Sequence, residues 1–62
     1  MNVVEFLMRN ENTKISHEIE MYLSKYGSKN LDLPIDIFIN KVDNKILKME
    51  WEKYNADING LL

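Results

Sequence analysis

The apolar residues of the C-terminal half fall in two interleaved stripes that step by three and four: Phe38/Ile39, Val42, Ile46 and Met49 on one, Leu47, Trp51, Tyr54 and Ile58 on the other. This period predicts a helix. A lone surface helix carries a narrower stripe, so a face this wide predicts cover by other elements or by another chain. One acid, Asp43, stands in the middle of it.

Upstream, Asn2 is placed to cap a first helix running to about Arg9, with Val3, Phe6 and Leu7, or Val4, Leu7 and Met8, on its inner side. The polar run Asn10-Glu11-Asn12-Thr13 breaks it, and Asn12 or Thr13 caps a second helix whose inward positions are Ile15, Ile19, Tyr22, Leu23 and Tyr26. Gly27 is expected to close that helix in the left-handed conformation. After the loop Ser28-Lys29-Asn30-Leu31, the segment Asp32-Leu33-Pro34-Ile35-Asp36 offers an acid cap, an early proline and a first-turn carboxylate. These announce a third helix with no clear stop before Asn59-Gly60. Two alternatives stay open. Ile35, Ile37 and Ile39, with Leu47, Met49 and Trp51, also alternate as in a β-hairpin turning at Asp43-Asn44, although no glycine serves that turn. Asp43 could also break the third helix as an N-cap. Asn12-Thr13-Lys14-Ile15 and Asp43-Asn44-Lys45-Ile46 look alike, but four residues make no repeat.

Sixty-two residues allow one domain with a small core, near the lower limit for a chain without staples. The absence of cysteine excludes disulfide and Cys-metal frameworks and predicts a reducing, intracellular compartment. No signal peptide or membrane-spanning run is expected. Eight Lys/Arg against ten Asp/Glu give a formal charge of -2. That balance disfavours phosphate neutralisation as the main task and favours a protein partner, a basic one included. His17 is the sole histidine, so no paired-histidine metal site or Ser-His-Asp set is available, and neither a cofactor nor a small-molecule substrate is expected. Glu50 and Glu52 point to different sides of a helix and cannot share an active site.

The series Phe38-x4-Asp43-x-Lys45-Ile46-x2-Met49-x3-Lys53 resembles the core signature of the Hha/YmoA family of small enterobacterial regulators, approximately F-x-x-A-x-D-H-R-x-A-E-L-x-x-x-K-L-Y. Upstream and without a gap, Phe6-Leu7-Met8-Arg9 is similar to that family's Y-L-M-R, and Ile19-Glu20, Leu23, Lys25 and Asp32 fall in register, so the resemblance covers about residues 6 to 58. It implies an all-α domain of three to four helices whose long third helix runs through Asp43 without a break. It also implies a non-enzymatic co-regulator, cytoplasmic and nucleoid-associated. Such a protein binds the N-terminal dimerisation region of H-NS or a paralogue, modulates gene silencing, and meets DNA only indirectly.

In that family acids of the small protein meet basic residues of H-NS. By register, the partner-binding positions here are Asp43, Glu20 and His17. At i,i+3 from Glu20, His17 shares its face and stands where relatives tend to carry an acid, which weakens the pairing or makes it depend on pH. Other departures are Asn44 and Lys45 for the His and Arg of the D-H-R motif, the loss of both alanines at Lys41-Val42 and Leu47, and an early end at Leu62. Glu11, Asn12 and Gly27 replace basic residues, so only a smaller basic patch of Arg9, Lys14, Lys25 and Lys29 is expected. Read without the resemblance, Asp43, Glu20 and His17 are ordinary solvated helix positions, Trp51 and Tyr54 are core anchors, and the methionines fill gaps.

Overall fold

The computed structural model describes residues 1–60 of the chain; the end at Leu62 lies outside them. Four helices make up the fold: α1 (Val3–Arg9), α2 (Lys14–Tyr26), α3 (Ile35–Val42) and α4 (Lys45–Gly60). The all-α class expected from the helical periods is therefore observed, and residues 35 to 54 form two helices rather than a hairpin. None of these helices is long and apolar enough to cross a membrane.

The first two helices start as their sequences predict. The Asn2 side chain accepts from the Glu5 backbone N–H at 2.9 Å while the Glu5 carboxylate accepts from the Asn2 N–H at 3.3 Å, a reciprocal capping box. Thr13 caps α2 by accepting from the Ser16 N–H. Asn10 ties the turn between them into one piece. Its amide donates to the Phe6 carbonyl at 2.9 Å, its carbonyl accepts from the Thr13 hydroxyl at 2.7 Å, and its side-chain oxygen accepts from the Tyr54 hydroxyl at 2.9 Å.

Three expectations change at the later boundaries. Gly27 ends α2 at φ 101° and ψ 153°, outside the left-handed helical region but in backbone space that essentially only glycine occupies. Asp32 does not cap α3: Pro34 holds the cap position with no side-chain bond. The first donor of α3, the Ile35 N–H, is met across the molecule by the Met1 carbonyl at 3.0 Å, and the Val3 N–H at the start of α1 donates to the Leu33 carbonyl at 3.2 Å. The third correction concerns the long third helix, which is broken at Asp43. That residue takes the left-handed conformation (φ 51°, ψ 41°), which aspartate tolerates better than most side chains. Asn44 then begins a new helix by accepting from the Ile46 and Leu47 N–H groups at 3.0 and 3.1 Å. The side chain thereby offers the backbone an alternative to continuing α3.

The break decides which stripe becomes core. Val3, Phe6, Ile15, Ile19, Ile35, Phe38, Ile39 and Leu47 are buried, and Trp51 and Tyr54 pack against them. Phe6 meets the edges of both, with ring centroids 5.5 and 5.3 Å apart. Because α4 is rotated relative to a continuous helix, Ile46, Met49 and Ile58 are about half exposed rather than inward. Glu50 turns inward in their place, with its side chain 6% exposed.

Candidate protein-binding face

The α2–α4 pair positions most of the residues singled out by sequence. Inward placement of Ile15 and Ile19 leaves His17, Glu20, Met21, Ser24 and Lys25 on the outer side of α2, where they line an open depression. His17 and Glu20 are both exposed there, as their spacing predicts. Asp43 is brought to a different depression, with Lys45, Lys48, Met49 and Glu52. It is exposed at the α3–α4 joint, and its carboxylate is hydrogen-bonded and ion-paired to Lys48. The Lys48 bond and charge hold that carboxyl below its ordinary value of 3.8.

A groove of 200 Å³ lies between the C-terminal half of α2 and the start of α4. Tyr22 and Leu47 form its floor, Met21, Tyr26 and Ile46 its exposed apolar rim, and Glu18, Lys25 and Asn44 its polar edge. Met21 and Lys25 belong both to this groove and to the His17–Glu20 depression, so the two are continuous. Asn44 extends the surface to the residue beside Asp43.

The four basic positions do not gather into one patch. Lys14 and Lys25 stand in the first and last turns of α2, about 16 Å apart along its axis. Arg9 ends α1, and Lys29 follows α2. Lys14 is further occupied by Glu50, with Nζ 3.7 Å from Oε2, while Lys53 reaches the same oxygen at 3.9 Å. Lys25 has its ammonium 5.4 Å from the Tyr26 ring centre. Glu50 and Glu52 do face different ways, one buried and one exposed.

The buried Glu50 was missed by sequence reasoning, as was the exposure of Ile46 and Met49. One signal was present: the likeness of Asn12-Thr13-Lys14-Ile15 to Asp43-Asn44-Lys45-Ile46 marks two helix starts, capped by Thr13 and Asn44. Among the described residues no cluster of His, Cys, Asp and Glu is arranged to hold a metal. No family model, curated protein or solved structure matches the chain.

Proposed function

We propose that the protein is a non-enzymatic co-regulator that works by binding another protein, the N-terminal dimerisation region of an H-NS-type nucleoid protein. It modulates gene silencing through that contact and reaches DNA only through its partner. The reading rests on the sequence resemblance and is supported by one observation: Glu20 and Asp43, on separate elements, are both exposed in open depressions that each hold one exposed methionine among charged side chains. Pairing with Lys48 does not remove Asp43 from this role, because an exposed ion pair is weak and a partner's arginine can displace the lysine. The division of the basic residues between the two ends of α2 gives no comparable support to direct DNA binding.

Calorimetric titration of the purified H-NS N-terminal region into this protein tests the reading. Wild type binds, and Asp43→Asn and Glu20→Gln each weaken affinity at least about tenfold, since interfacial charges are costly to remove, while thermal stability is unchanged. Absence of wild-type binding rejects the proposed partner; binding insensitive to both substitutions rejects the proposed contacts.

A further inference from the structure

The outer stripe of α2 that borders the groove reads Glu18, Met21, Lys25, at i, i+3 and i+7. Among the described residues neither Glu18 nor Lys25 has an ion-pair partner; the three salt bridges present join Lys14 and Lys53 to Glu50 and Lys48 to Asp43. The stripe is thus an acid and a base about 10.5 Å apart along the helix, with a methionine that is 55% exposed between them. Ile46 of α4 and Tyr26 widen the apolar centre, and both are more than half exposed. The midpoint between Glu18 and Lys25 falls at Met21-Tyr22.

We infer that this face docks against the same face of a second copy of the chain. A two-fold axis at the level of Met21 sets two α2 helices antiparallel, and the charge order then matches itself: Glu18 of each copy meets Lys25 of the other, twice, around a centre of Met21, Tyr26 and Ile46 from both. Such an isologous contact requires a self-complementary patch, and opposite charges at the two ends of one stripe supply it. Identical ends would repel. The groove is open and has an apolar floor, and flexible methionine and isoleucine side chains from a facing copy adapt to such a surface. Dimerisation would also add buried surface to a chain near the lower size limit for a stable core.

The inference does not depend on the H-NS reading and is tested without that protein. Sedimentation equilibrium across a concentration series is measured for wild type, Glu18→Lys, Ile46→Lys and the double exchange Glu18→Lys/Lys25→Glu, with circular dichroism to establish that each is folded. Wild type approaches twice the chain mass of 7.4 kDa. Glu18→Lys, which sets like charges opposite each other at two places, raises the dissociation constant about tenfold. Ile46→Lys shifts it in the same direction, and the double exchange restores the wild-type value because it remains self-complementary. A wild type that stays at the monomer mass throughout overturns the inference. So does a dimer indifferent to Glu18→Lys, or one that the double exchange fails to restore.

Discussion

Helix α4 carries two carboxylate–lysine groupings that teach opposite lessons. At its first turn Lys48 contacts Asp43 directly, yet both side chains are largely in water, at 44% and 77% exposure. Two residues further on, Glu50 is almost fully enclosed, and its lysines, at 3.7 and 3.9 Å, stand beyond ordinary hydrogen-bond length and are themselves mostly exposed. The closer pair is the less consequential. Screening by water leaves an exposed pair little net worth, whereas a carboxylate removed from water depends on whatever positive charge remains near it.

The largest effect should follow from taking both cations away from Glu50. Lys14→Met/Lys53→Met leaves a buried charge without compensation and should lower stability by about 3 kcal/mol, the low end for an orphaned buried ion, as measured by urea unfolding. Smaller and opposite in sign is Glu50→Met. The lysines, already mostly in water, lose only distant partners, an apolar side chain lies beside Ile15 and Tyr54, and stability should rise by about 1 kcal/mol. A loss of more than 1 kcal/mol in this variant would instead assign Glu50 a net stabilising role. Smallest is Lys48→Met, expected to leave the unfolding midpoint unchanged at pH 7 while moving the Asp43 carboxyl back up toward 3.8 in an NMR titration. The sign follows from the lowered pKa in the folded state. Whatever Asp43 contributes is present above its unfolded value and fades as the pH falls through the lowered one, so any difference between wild type and Lys48→Met should shrink only in strong acid.

Those two groupings also mark where the sequence could and could not be read. The starts of α1 and α2 were legible because Asn2, Glu5 and Thr13 act on donors within three residues of themselves. Helical period also placed Phe38, Ile39 and Leu47 among the stripe positions that needed cover, and all three are buried. It could not choose between the two stripes of α4, because that choice depends on the left-handed turn at Asp43, and each stripe alone is a plausible inner face. The inward turn of Glu50 was illegible for a further reason: its cations come from Lys14, thirty-six positions away, and from Lys53, which looks like an ordinary surface lysine. Of the positions proposed to bind a partner, His17 and Glu20 share a depression as their spacing implied, whereas Asp43 lies in a separate one, a separation visible only in three dimensions.

The hydrogen bond from the Tyr54 hydroxyl to Asn10 joins positions forty-four residues apart. Closing so long a loop costs chain entropy that only later contacts repay, so the turn between α1 and α2 can fray and reform until α4 has docked over it. The order of assembly is then set from the far end of the chain. Amides around Thr13 should then gain lasting protection in step with those of α4, which pulsed hydrogen exchange during refolding measures.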